Sequence, residues 1–139
     1  MFGPPGHAYV YRSYGIHWCL NLVCEEEGRA AAALIRALEP RQGVELMRER
    51  RGLDDVRLLA AGPGRLCEAL GVTREHDGRA LDLPPFELLA ARERPEVIAG
   101  ERIGISVATE LPWRYAEAGS RWLSRPLRSR ERATPPARP

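Results

Sequence analysis

Lysine is absent from this 139-residue chain, so all 21 of its basic residues are arginine. The bias reads as GC-rich coding and carries no functional signal. Cysteine is scarce: Cys19, Cys24 and Cys67 are odd in number and sit among apolar residues. That excludes a disulfide framework and points to small buried hydrophobes in a reducing compartment. The cysteines do not combine with His7, His17 or His76 in any metal-ligand spacing, so neither a metal nor a cofactor is expected. No apolar run approaches the ~20 residues that span a bilayer, and no secretory leader is expected. The expectation is a soluble, cytoplasmic protein, nucleoid-associated in a bacterium, monomeric and without a membrane partner. There are no internal repeats.

Net charge is also small: 21 basic residues against 19 acidic ones give +2, a weak hint of nucleic acid at most. Its distribution is more informative. Residues 125–139 hold five arginines against one acid, Glu131, a tail of +4, and the body before it is −2, with 16 basic residues against 18 acidic. The Arg/Pro/Ser composition of that tail predicts disorder. Residues 1–124 then form one domain, large enough to bury roughly two-thirds of its unfolded surface.

The most informative segment is residues 9–24, Tyr-Val-Tyr-Arg-Ser-Tyr-Gly-Ile-His-Trp-Cys-Leu-Asn-Leu-Val-Cys. β-branched and aromatic residues on both sides of Ser13-Tyr14-Gly15 predict two strands joined by a tight turn. Turn tips normally carry small polar residues, so Tyr14 is either a surface accident or a tool. Alternation puts Tyr9 and Tyr11 on one face of the first strand; in the second, Cys19, Asn21 and Val23 share a face opposite Trp18, Leu20 and Leu22. Asn21 thus interrupts an apolar run. Burying an unpaired amide costs a few kcal/mol, so it is either hydrogen-bonded in the core or waiting for a ligand.

Residues 31–38 predict a further apolar strand with Arg36 in it. Arginine is almost never buried unpaired. Arg36 therefore pairs with a carboxylate such as Glu39 or lines a polar pocket beside Asn21. Residues 42–50 predict an amphipathic helix with Val44, Leu46 and Met47 inward, stopped by Gly52. Gly62-Pro63-Gly64 leads into a helix over residues 65–70. The glycines there serve either tight packing or capture of an anion by free N–H groups, with Arg65 beside them. Strands are expected to begin at residues 80–83 and to run over 86–91 and 102–107, separated by a solvated charge run at 92–96. Pro112-Trp113-Arg114-Tyr115 predicts a short helical turn with its aromatics in the core. The first strand is expected to start with no preceding partner to cover its edge. The class is α+β: a single domain with a curved, mostly antiparallel sheet, a protruding β-hairpin and short flanking helices.

The run Met1-Phe2-Gly3-Pro4-Pro5-Gly6-His7-Ala8-Tyr9-Val10-Tyr11, then Tyr14-Gly15, Asn21 and Arg36-Ala37-Leu38-Glu39-Pro40, resembles the alkyladenine (3-methyladenine) DNA glycosylases. So do residues 62–70, Arg102-Ile103-Gly104-Ile105 and Pro112-Trp113-Arg114-Tyr115, in the same order, to about residue 124. The resemblance implies base-excision repair: flipping an alkylated or deaminated purine out of double-stranded DNA and hydrolysing its N-glycosidic bond. It implies that Tyr14 intercalates through the minor groove, that Tyr11 stacks on the flipped base, and that Asn21 discourages guanine by clashing with its exocyclic amine. Arg36 lines the pocket, Tyr9 supports it from behind, Ile16 and His17 touch the minor groove, and Arg65 contacts phosphate. The family's general base is a glutamate in a Glu-Ala-Tyr stretch upstream of the Gly-Pro loop, and Glu25, Glu26, Glu27 and Glu39 do not match it. Met1 is accordingly expected to be an internal methionine of a longer protein. The alternative is a non-catalytic DNA-binding remnant that kept the hairpin and lacks the base.

Overall fold

The computed structural model describes residues 1–127. In chain order these form β1 (Ala8–Ser13), β2 (His17–Val23), β3 (Ala32–Leu34), α1 (Val44–Arg51), α2 (Val56–Leu59), α3 (Pro63–Leu70), a 3-10 turn (Arg74–His76), β4 (Val97–Gly100) and β5 (Arg114–Glu117). Every strand pairing is antiparallel, and the helices cluster in the middle of the chain, which is the expected α+β arrangement. The strands divide between two sheets, β1-β2-β3 and β4-β5. Most of the basic tail, residues 128–139, lies outside the described residues.

The hairpin forms as its alternation predicts. β1 and β2 pair from Ala8 opposite Leu22 to Ser13 opposite His17. Three residues, Tyr14-Gly15-Ile16, make the loop, and the Ile16 N–H donates to the Ser13 carbonyl at 3.0 Å. Tyr14 (φ +50°) and Gly15 (φ +68°) both enter the left-handed region. Glycine does so without steric penalty; a tyrosine there is uncommon.

Each face of the hairpin has its own job. Ala8, Val10 and Leu20 join Ala60, Leu66, Cys67, Val72 and Leu81 in the hydrophobic core, with Trp18 and Leu22 packed beside them. Leu66 and Leu59 are wholly buried. α3 docks on β2 through this face, and the approach is close: a Cβ on Gly64 would lie 2.9 Å from His17. Gly64 therefore serves tight packing, because any side chain there would push the helix off the strand. Arg51 from α1 reaches the Glu68 carboxylate on α3, and Arg50 donates to the Ala69 carbonyl at 3.1 Å, where a cation complements the helix C-terminus.

The outer edge of β1 is covered not by preceding residues but by residues far along the chain. The Ala8 N–H donates to the Arg79 carbonyl at 2.8 Å, and the Gly78 N–H donates to the Ala8 carbonyl at 2.9 Å. The Val10 N–H donates to Asp77 Oδ1 at 2.8 Å, across 67 residues.

Other expectations are also corrected. β3 ends at Leu34, so Arg36 lies beyond the strand instead of within it; past that point the backbone regains only one bridge, Ala37 to Ala61. Residues 80–83, 86–91 and 102–107 are not strands; the first keeps a single bridge, His7 to Ala80. They are apolar but irregular, and Leu83, Leu88 and Leu89 are exposed, because no neighbouring strand offers them a ladder. The late strand pair forms instead at β4 and β5, where Val97 sits opposite Glu117 and Gly100 opposite Arg114. Residues 112–115 are consequently not helical, and Trp113 and Tyr115 face solvent. Leu46 is exposed on α1, and Cys24 is exposed just past the end of β2. Among the described residues no helix is long and apolar enough to cross a membrane, and no cluster of His, Cys, Asp or Glu could hold a metal ion.

Candidate nucleic-acid interface

The second face of the hairpin carries the candidate site. Cross-strand register puts Tyr9 opposite Asn21 and Tyr11 opposite Cys19, so these four side chains share the face that the core does not use. The Tyr9 and Tyr11 rings stack, with centroids 5.6 Å apart and planes 30° apart. Asn21 is buried in the central strand, flanked by Tyr9 and by Leu34 of β3, and its Nδ2 donates to the Tyr9 carbonyl at 3.1 Å. Its side chain is thus fixed in place, and the structure gives it one of the hydrogen bonds an amide can make.

Tyr11 remains more than one-third exposed. Its phenol is nevertheless held above the usual tyrosine range, first by partial burial, then by the adjacent Cys19 thiol, and by Tyr9. The positive charge of Arg36 acts in the opposite sense. Tyr11 is therefore a neutral hydroxyl at physiological pH, suited to stacking and hydrogen bonding and not to proton abstraction.

Arg36 is not paired with Glu39. That carboxylate accepts from Arg41 at 2.9 and 3.1 Å, and among the described residues no acid forms an ion pair with Arg36. The other alternative, a polar pocket beside Asn21, fits its electrostatic reach to Tyr11. Arg114 was not anticipated as part of this surface. It is buried, donates to the Arg125 carbonyl at 2.5 Å and the Pro126 carbonyl at 3.5 Å, and its guanidinium is pulled below the usual arginine range by burial and then by the charges of Arg36 and Arg125. Positive charge therefore accumulates here, as an anionic ligand would require.

The hairpin tip projects. Tyr14 is 92% exposed and Ile16 68% exposed, with His17 also exposed. A cavity of about 380 Å³ opens beneath Ile16, His17 and Trp18, against Arg50, Cys67 and Thr73. Arg65, at the start of α3, is exposed and reaches back to the Ala61 carbonyl at 3.4 Å. The structure thus brings Tyr9, Tyr11 and Asn21 together with Arg36 in electrostatic range, sets Tyr14 and Ile16 at the tip, and leaves Arg65 on the helix flanking His17. Cys19 and Arg114 were missed. Reading Tyr11 across the turn to its register partner would have found Cys19; Arg114 lies in a matched motif, and nothing in its spacing marks it for burial.

An α+β domain that presents a tyrosine-tipped hairpin over a tyrosine–asparagine face, with Arg36 and Arg114 forming no ion pair among the described residues, is the class these features define. A family model for methylpurine-DNA glycosylase matches residues 1–121. The chain belongs to the methylpurine-DNA glycosylase family. It is 64% identical over 127 residues to a protein of Rhodopseudomonas palustris strain BisB18, covering 91% of this chain and 64% of that one. A Nitrosospira multiformis protein is 59% identical over 128 residues, covering 92% and 66%, and one from Agrobacterium fabrum is 50% identical over 125 residues, covering 90% and 63%. Their names give all three, provisionally, as 3-methyladenine DNA glycosylases. The chain spans 63–66% of the length of these relatives.

Proposed function

We propose that this chain carries the DNA-reading surface of a base-excision glycosylase acting on alkylated or deaminated purines in duplex DNA. The observation that carries the reading is the hairpin: one face anchored in the core, the other holding Tyr9, Tyr11 and Asn21, and an exposed tyrosine at its tip. Extruding a nucleotide costs a few kcal/mol of unpairing and unstacking. Tyr14 recovers part of that by filling the vacated stack, with Ile16 and His17 along the minor groove and Arg65 on a phosphate. Tyr11, supported by Tyr9, stacks on the flipped base. Asn21 is held in one orientation by the Tyr9 carbonyl and rejects guanine through its exocyclic amine, so selection works partly by exclusion. Arg36, with Arg114 behind it, supplies positive charge at the foot of the pocket.

Hydrolysis needs a base that activates water beside the sugar as oxocarbenium character develops. No glutamate of this chain is assigned that role. Binding and excision are therefore measured separately. Fluorescence anisotropy on duplexes with and without a tetrahydrofuran abasic site is expected to show preference for the abasic duplex. Release of base from 3-methyladenine-containing DNA then distinguishes a glycosylase from a DNA binder. Equal affinity for both duplexes, or no affinity for either, would sink the reading.

A further inference from the structure

Among the described residues, one buried side-chain nitrogen meets no hydrogen-bond partner: Nε of Arg102. The far end of the same side chain is engaged. Its Nη2 donates to the carbonyls of Val107 (3.0 Å) and Ala108 (3.1 Å), and its guanidinium lies 5.3 Å from the centre of the Trp113 ring. One planar group thus closes residues 103–108 into a loop and ties that loop to the entry of β5. A guanidinium placed merely to satisfy its donors would not leave one buried and unpaired. Here its orientation is set by the loop carbonyls and the indole.

The loop it closes faces the hairpin tip. Tyr14, Arg102, Gly104, Ile105, Ser106 and Val107 line one groove of about 560 Å³. Tyr14 and Ala108 (φ +53°) are, among the described residues, the two non-glycines in the left-handed region, so the tip and the loop both hold backbone conformations that need support. Val107 is 76% exposed, which leaves the loop side of the groove open to a ligand.

We infer that Arg102 is a positioning residue: it holds residues 104–107 at the distance from Tyr14 that leaves a slot for the nucleotide flanking the inserted tyrosine. This rests on the insertion reading of Tyr14. A loop ordered in advance spares the complex the entropy of ordering it on binding. Lysine cannot replace the arginine, because it cannot serve two carbonyls and an aromatic face with one planar fork.

The test is a double-mutant cycle on the whole chain, read as preference for a tetrahydrofuran abasic duplex over the intact duplex. Tyr14→Ala is expected to lower that preference about tenfold. Arg102→Gln and Arg102→Lys are each expected to lower it about threefold at an unchanged melting temperature. Adding Arg102→Gln to Tyr14→Ala should produce no further loss. A merely structural Arg102 would weaken both duplexes alike and add its loss to that of Tyr14→Ala, and either result overturns the inference. Full rescue by Arg102→Lys does the same, because charge alone would then suffice. Should Arg102→Gln fail to fold, Trp113→Leu, at an exposed ring, must show the same non-additivity or the inference falls. If Tyr14→Ala leaves the preference intact, insertion and positioning fail together. If Tyr14→Ala abolishes it and Arg102→Gln does not change it, insertion stands and positioning fails.

Discussion

Asp77→Ala tests the physical basis of the hairpin's position. The carboxylate accepts the Val10 N–H at 2.8 Å, and Val10 is 5% exposed, so the freed donor would sit in a largely buried strand. An unpaired buried donor costs about 1–3 kcal/mol. Asp77 is exposed, so water can enter part of the space its side chain leaves, which favours the lower part of that range, about 1–2 kcal/mol. For a chain of 139 residues, each kcal/mol moves the melting temperature by about 4 °C, so the variant should melt about 4–8 °C lower. Asp77→Asn keeps a neutral acceptor at the same place and should recover about half of the loss. Urea melts followed by circular dichroism supply the free energy, and an unchanged m-value would show that the unfolded reference is the same. Amide exchange at Val10 should accelerate more than at Leu20. A melting temperature within about 1 °C of the parent, or Asn no better than Ala, would refute the account of how β1 is held.

Tyr14→Ala should leave the melting temperature unchanged, since the ring is 92% exposed, while weakening abasic-duplex binding by about 1–3 kcal/mol; equal loss on intact DNA would make Tyr14 an ordinary surface contact. Arg65→Ala should weaken all duplexes alike and lower the salt slope by about one, and a loss confined to damaged DNA would contradict a phosphate role. Burial pushes the Cys67 thiol up to about 11 from 9.0, so the folded state disfavours the thiolate. The parent's stability relative to Cys67→Ala should therefore be constant below pH 9 and fall by roughly 2–3 kcal/mol as pH rises to 11; a flat difference would refute it.

Local signals were legible wherever a periodicity met a partner close in sequence. The hairpin, its faces, α1, α3 and the glycine stops all follow from alternation, helical spacing and turn chemistry. What failed required knowledge of distant chain. Residues 86–91 and 102–107 have strand-like composition, but a strand is made by a ladder, and the available partners paired elsewhere. The exposure of Trp113 and Tyr115 follows from the same event: once residues 114–117 pair with 97–100, both rings fall on the side away from the core. The shared face of Tyr9, Tyr11 and Asn21 was readable from parity. The release of Arg36 from Glu39 was not, because Arg41 competes for that carboxylate from two residues away.

Parity also explains why the bonds to residues 77–79 bear on the proposed recognition surface. Side chains alternate along a strand, so a slip of one residue would send Tyr9, Tyr11 and Asn21 into the core and bring Val10 and Leu20 out. The hydrophobic face resists such a slip, and so does the register of β1 against Asp77 and Arg79. On the other edge, the Ile35 N–H donates to the Leu20 carbonyl at 3.0 Å, which carries the chain from β3 toward Arg36 with Leu34 held opposite Asn21. β2 is therefore held from both sides. On the proposed reading Asn21 tells one purine from another, which requires its placement to within a fraction of an ångström. In this fold the placement of Asn21 comes from two strand edges and a buried apolar face.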